Sequence, residues 1–224
     1  MSQKNYAVLR IQKLKSPGAC QNVLNHMRRQ GKELHHLTNP DAKNYRLCYT
    51  DSYPKDITYS KCLKQLVKGK IRSNAVYGIE VVTSFSSGAL ETTLKDQESI
   101  KRWCKASMDW VSDTFGGRNH IVDAYCHFDE KCPHCHFLII PERDGKLNAK
   151  SYVSDRNSLI KMQSSYSDAM KDFGLSRGVS REITQKRHES FKRWHNEQAA
   201  NMERLIELEE IVRIKCYEAI SYDR

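Results

Sequence analysis

A chain of 224 residues with formal net charge +10 and mean hydropathy −0.71 is long enough to bury one substantial core without disulfide or metal staples. No apolar run approaches the roughly 20 residues a bilayer span needs. The opening Met1–Asn5 leads straight into an alternating segment with no signal-peptide core, so membrane, collagen-like and secreted-precursor classes are set aside and a cytoplasmic setting is expected. Eight cysteines without repeated spacing then read as reduced, mostly buried thiols rather than a disulfide framework. The charge is unevenly placed. Residues 1–80 hold 15 Lys/Arg against 5 Asp/Glu, whereas 81–150 balance at −1 and 151–224 at +1. A basic N-terminal third on a balanced scaffold points to a polyanionic partner.

In chain order, Asn5 to Lys13 alternates and carries β-formers, predicting a first strand broken by Ser16-Pro17-Gly18. Val23, Leu24 and Met27 fit a helix over about 19–30, with Gly31 as its stop. Residues 32–56 are polar, with turns at Asn39-Pro40-Asp41 and Tyr53-Pro54, and read as a long functional loop. A helix follows over 59–67 and a β-branched strand over 76–85. Ile100, Trp103, Met108, Val111 and Phe115 recur at helical spacing over 96–115, as core positions, before Gly116-Gly117. Two strands, 121–128 and 134–141, flank a Pro133 connector, with Asp144-Gly145 marking a turn beyond. Helices are expected over 159–173 and 188–219. Hairpin-adjacent strands with helices of this length indicate an α+β fold: a central antiparallel sheet of about five strands with helices on its faces, in a domain of 1–185, plus a helical extension over 186–224.

One segment carries chemistry: His127-Phe-Asp129-Glu130-Lys-Cys132-Pro133-His134-Cys135-His136. His134 and His136 are two apart on a strand and leave the same face. A hairpin through Pro133 brings His127 opposite them, forming a facial three-histidine site with open positions, suited to a divalent ion that also holds substrate. Asp129 and Glu130 are near enough to orient a ligand imidazole or bound water. Zinc is the competing reading, because Cys132 and Cys135 form a C-x-x-C. They lack a second knuckle, however, and Cys135 points away from the histidines. The H-x-E followed by P-C-x-x-C of nucleobase deaminases is not matched.

The segment resembles the H-x-D-E-x-x-P-H-x-H signature of plasmid mobilisation relaxases of the Mob/Pre (MOBV) family, within the HUH superfamily. Other segments match in order. Tyr6-Ala-Val-Leu-Arg10-Ile-Gln-Lys13 is similar to the family's start, Asn25-His26-Met-Arg28-Arg29 to its H-x-x-R element, and Asn39-Pro40 through Asn44-Tyr45 to its N-P…N-Y loop. Ile71-Arg72 with Ala75-Val76 and Gly145-Lys146-Leu147 also fit, so the resemblance covers about residues 5–175. It implies an HUH relaxase fold and a metal-dependent enzyme that nicks one strand at a plasmid transfer origin. Such an enzyme stays joined to the 5′ phosphate and starts conjugative mobilisation. Carried over by position, His26 is the nucleophile, with Tyr45 the runner-up. Glu130, Arg29 and Arg72 complete the catalytic set, the arginines as phosphate clamps. His127, His134 and His136 hold Mn²⁺ or Mg²⁺. Arg10, Lys13, Arg28, Lys32, Lys43, Asn44, Tyr45 and Arg46 are the DNA-contacting candidates, with single-stranded or hairpin transfer-origin DNA as partner and a homodimer or relaxosome proteins beside it. His35-His36 reads as a loop pair and not as ligands. Ending at Arg224, the chain is expected to be a short member or a relaxase domain alone. Two other readings stay open: a rolling-circle initiator or transposase using a tyrosine such as Tyr166, and a DNA-binding regulator that does not cut.

Overall fold

Alternation of apolar and polar side chains extends Asn5–Leu14 into β1. The computed structural model describes residues 4–30, 39, 41–47, 53–130 and 132–179. The expected 186–224 extension, Lys32, His35 and His36 lie outside the described residues. After β1 come α1 (Pro17–Met27), β2 (Tyr45–Arg46), α2 (Tyr59–Leu66), β3 (Gly78–Phe85), α3 (Ala89–Thr92) and α4 (Gln97–Thr114). The remainder is β4 (Ile121–His127), β5 (His134–Ile139), the β6–β7 hairpin (Glu142–Arg143, Lys146–Leu147), α5 (Arg156–Ala169) and β8 (Leu175–Arg177).

Six strands form the main sheet in the order β2-β4-β5-β3-β1-β8, antiparallel except for the β1–β8 pair. The expected α+β class holds, with one more strand than anticipated. β2 and β8 are two and three residues long, too short to show a period, and pair only because the neighbouring strands present an edge. α1 begins where Ser16 accepts a hydrogen bond from the Ala19 amide, with Pro17 in the first turn. It ends at Met27, before Gly31. Arg29 adopts the left-handed conformation at φ 55°, with Gln30 N–H bonding Asn25 C=O and Arg29 N–H bonding His26 C=O. This is a Schellman closure with arginine where glycine is usual, so the helix stops early. Both α4 and α5 open with Asp–Ser capping boxes, Asp96 with Ser99 and Asp155 with Ser158.

The register separates the sheet into two faces. Ile79, Val81, Phe85, Cys126, Cys135, Phe137 and Ile139 meet Trp103, Met108, Val111, Phe115 and Tyr166 of α4 and α5 in the larger core. On the other face, Leu24 and Met27 of α1 pack with Val122, Tyr125, Leu138 and Ile140. A register shift between Ile121 and Asp123 in β4 puts Asp123, Tyr125 and His127 on this second face. α1 covers only part of it. Val8, Val82 and Ser84 stay half-exposed and Arg10 exposed, leaving an open strip of sheet beside the histidines.

Candidate active site

His127 and His134 stand directly opposite each other in the β4–β5 ladder, and His136 lies one pleat along β5. Their rings converge: centroids are 5.3 Å apart for His127–His134, 4.9 Å for His127–His136 and 4.8 Å for His134–His136. The last full turn of α1 brings a fourth imidazole over them, with His26 at 5.5 Å from His127 and 5.0 Å from His136. Glu130 reaches the same place, its Oε1 3.8 Å from His127 Nδ1 and 3.7 Å from His134 Nε2.

The outer nitrogen of each strand histidine is held by an acceptor. His127 Nε2 lies 3.0 Å from the Met27 carbonyl oxygen, His134 Nδ1 is 2.9 Å from that of Cys132, and His136 Nδ1 is 3.0 Å from the Glu80 carboxylate. A carbonyl or carboxylate oxygen can only accept, so these nitrogens carry the protons. The inner nitrogens, His127 Nδ1, His134 Nε2 and His136 Nε2, are thereby left with free lone pairs. Two of them, His127 Nδ1 and His136 Nε2, are buried with no hydrogen-bond partner. Burial drives two of the imidazoles neutral, taking His127 down to about 3 and His136 well below its ordinary value, with the neighbouring imidazoles adding to the effect. Neutral, pre-oriented nitrogens with unmet bonding capacity are what a divalent ion requires. Three imidazoles with the Glu130 carboxylate alongside form a mixed nitrogen and oxygen donor set of the kind that first-row divalent ions take. The donor atoms of His127, Glu130 and His134 lie within 4.8 Å of one another, as do those of His26, His127 and His136.

Arg29 closes the site's rim. Its Nε and Nη2 donate to the two oxygens of Asp129 at 2.9 and 2.5 Å, and Nη2 also reaches Glu130 at 2.8 Å. Burial by itself would lower the guanidinium pKa, but the hydrogen bonds it donates to Asp129 and Glu130, with their negative charges, outweigh that and raise it. Burial likewise opposes the Asp129 charge, and the bonds from Arg29 and Asn44 reverse that and hold its carboxyl low. Asp129 is therefore a bracket for Arg29 and makes no direct bond to an imidazole among the described contacts. The left-handed backbone of Arg29 costs about 1–2 kcal/mol for a residue with a Cβ, and this paired fork holds it there.

Several of the expected DNA-contacting side chains have partners within the protein. The Arg28 side chain is buried, its guanidinium 2.8–2.9 Å from Asp123 and 2.9 Å from the Ile57 carbonyl. It faces inward because it follows the last turn of α1 onto β4. Arg46 pairs with the other Asp123 oxygen at 2.7 Å and with the Tyr53 carbonyl at 3.0 Å. Asn44 has both ends of its amide engaged, donating to Asp129 at 2.5 Å and accepting from the Phe128 amide at 2.8 Å. Tyr45 stands opposite Cys126 and meets Phe128 edge-on, on the face away from the histidines. Lys13 aligns with Ile79 and shares that other face, whereas Arg10 aligns with Val82 in the same cross-strand row as His136. Arg72 is exposed on the loop entering β3 at its Gly78 end, and no described contact joins it to the histidines. Lys43 is exposed. Tyr166 is fully buried in the opposite core, bonded to Ser107, which removes it as a nucleophile candidate.

Two carboxylates escaped the sequence analysis. Glu80 is the one acid in the apolar run Gly78–Phe85, a charge on an otherwise hydrophobic strand and therefore a legible signal. Burial raises its pKa, partly opposed by His26 and His134 nearby. Asp123, fully buried within β4, carries the same kind of signal and anchors two arginines.

Known proteins resemble this chain in sequence and in fold. Residues 3–196 match the Mob_Pre family model, described as plasmid recombination enzyme. Among curated proteins, the chain is similar to plasmid recombination enzyme type 1 of Staphylococcus aureus, at 22% identity over 92% of this chain and 52% of that one. It is also similar to the type 2 enzyme of S. aureus, at 32% over 78% and 42%, and to a 65 kDa protein of Zymomonas mobilis subsp. mobilis, at 31% over 78% and 30%. The chain thus spans about half or less of the length of the curated relatives it matches. Among solved structures it resembles the MobM relaxase domain (MOBV; Mob_Pre) bound to plasmid pMV158 oriT DNA, in a Mn-bound crystal structure. There the identity is 25% and the TM-score 0.71, covering 85% of this chain and 98% of that one. With a family model spanning residues 3–196, the chain belongs to the Mob_Pre family of plasmid recombination enzymes.

Proposed function

We propose that this chain is a divalent-metal-dependent relaxase domain that nicks and rejoins one strand of plasmid transfer-origin DNA through His26. The observation that carries the proposal is the set of three strand imidazoles whose outer N–H groups are pinned to Met27, Cys132 and Glu80, with the His26 ring edge-on to those of His127 and His136. The solved relative with the same fold is bound to oriT DNA and manganese, which supports both the substrate and Mn²⁺.

His127, His134 and His136 would hold the ion, with Glu130 at its side. A bound divalent cation supplies Lewis acidity to a phosphate oxygen and offsets developing negative charge. The remaining work falls to this chain's own residues. An imidazole nitrogen of His26 attacks the scissile phosphorus, the P–O3′ bond breaks, and the 3′ oxygen takes up the proton that the His26 ring gives up. The 5′ phosphate remains on His26, which preserves a high-energy bond for rejoining. Glu130 lies within 4 Å of two of the ring nitrogens and is placed to relay a proton. Arg29 keeps the Asp129–Glu130 turn in position and adds positive charge at the rim. Arg10, on the open strip of sheet in the row of His136, is the best-placed backbone contact for the incoming strand. Lys43 and Arg72 are exposed cations for its flanks.

The test is incubation with Mn²⁺ and single-stranded oligonucleotides tiling the transfer origin of the source replicon, followed by denaturing gels and peptide mapping at alkaline pH, where a phosphohistidine survives. A covalent adduct on His26, absent in His26→Ala, supports the proposal. An adduct on a tyrosine overturns the nucleophile. No adduct despite DNA and metal binding favours the regulator that does not cut. The proximity of His26 to His127 and His136 also suits a fourth metal ligand. Metal affinity distinguishes the two roles, because a nucleophile's removal leaves it nearly unchanged whereas a ligand's removal does not.

A further inference from the structure

Back to back with the histidines, on the opposite face of the same two strands, three thiols converge. Cys126 and Cys135 are directly opposed in the β4–β5 ladder, and Cys104 of α4 lies over them, 3.7 Å from Cys135. All three sulfurs lie within 4.8 Å of one another and all three residues are buried. Alternation explains the placement: Cys126 precedes His127, and Cys135 sits between His134 and His136, so each points away from the site on the other face.

We propose that Cys104, Cys126 and Cys135 form a three-sulfur site for a trivalent, thiophilic ion of the arsenite class. Three sulfurs no more than 4.8 Å apart, with one pair at 3.7 Å, share a point within roughly 2.8 Å of each, close to thiolate–metal bonds of about 2.3 Å, so a small inward movement closes the cage. Charge selects the ion. The three thiols belong to the larger apolar core, with Trp103, Met108, Val111, Ala124 and Phe137, where an uncompensated net charge is very costly. Three thiolates on a divalent ion leave one negative charge, and on a monovalent ion two, while a trivalent ion gives a neutral complex. Zinc also wants a fourth donor, and among the described residues this donor group contains three. Arsenous acid is itself neutral and small. Its capture is an exchange without redox change: three As–O bonds break, three As–S bonds form, and each thiol proton leaves with a hydroxyl as water.

The experiment adds sodium arsenite to the full chain under reducing, native conditions. It reads arsenic stoichiometry by intact mass, sulfur coordination by X-ray absorption, and location by peptide mapping. The expected result is one arsenic per folded chain with three sulfur neighbours, joining the peptides that carry Cys104, Cys126 and Cys135. Cys104→Val and Cys135→Ala should each lose it, while Cys132→Ala, which alters a half-exposed thiol outside the group, should keep it. Two sulfur neighbours, other peptides joined, retention in Cys104→Val, or uptake only in denaturant would each overturn the proposal. The wild-type coordination and mapping decide the matter even if a core variant fails to fold.

Discussion

Replacing Glu80 by glutamine removes a negative charge from behind a metal-facing imidazole while leaving an acceptor for its N–H. In the parent, the Glu80 carboxylate lies 3.0 Å from His136 Nδ1, with both side chains largely buried at 13% and 8% exposure, so neither solvent nor salt weakens the pair much. A hydrogen bond to a charged acceptor is roughly twice as strong as a neutral one, and it makes His136 Nε2 a better donor to a cation. Outer partners of this kind are worth about 10–100-fold in metal affinity. Because the glutamine keeps the ring oriented, Glu80→Gln should weaken Mn²⁺ binding by about 10-fold, or about 1.4 kcal/mol. Glu80→Ala, which frees the ring as well, should approach about 100-fold. Burial already raises the Glu80 pKa, so the charge is not a source of stability in the metal-free protein, and its melting temperature should not fall in the glutamine variant. Titration calorimetry with Mn²⁺, paired with melts of the metal-free proteins, measures both quantities. A glutamine variant that binds Mn²⁺ within two-fold of the parent would refute the argument that Glu80 acts through His136.

Arg28→Ala should destabilise the fold by about 3–5 kcal/mol, because it breaks the buried pair with Asp123; a urea melt measures it, and a neutral outcome would return Arg28 to the surface. On β1, Arg10→Ala should weaken single-stranded DNA binding and lower the slope of log K against log salt by about 0.7. Lys13→Ala, three residues on and on the opposite face, should leave that slope unchanged. The metal-free protein should lose stability as pH falls from about 6.5 toward 3. His127 stays neutral in the fold down to about 3 but protonates near 6.5 when unfolded, so the unfolded state binds the extra proton across that window and gains from acid. At pH 5 this amounts to about 2 kcal/mol from His127. The change in melting temperature between pH 7 and pH 5 should therefore shrink in His127→Gln, and an undiminished change would show that the loss arises elsewhere.

The strands β1, β3, β4 and β5, the helices α1, α2, α4 and α5, and the meeting of His127, His134 and His136 were all legible in the sequence, because each rests on local periodicity. Two-residue pleating sends His134 and His136 to one face and Cys135 to the other, and a short connector forces His127 alongside. The Asp144-Gly145 turn was equally local, both residues having positive φ at the β6–β7 hairpin. What sequence left open depended on contacts far apart in the chain. The charge of Arg10, Lys13, Arg28 and Arg46 is visible in a sequence, but the partner each one meets is not. The β1–β3 register put Arg10 and Lys13 on opposite faces, and the end of α1 turned Arg28 inward onto Asp123, 95 residues away. The carbonyls of Met27 and Cys132 that set two imidazole tautomers belong to the backbone and leave no trace in side-chain identity. Local patterns thus determined which side chains share a face, while the tertiary structure decided which charges are neutralised inside the protein and which remain for a ligand.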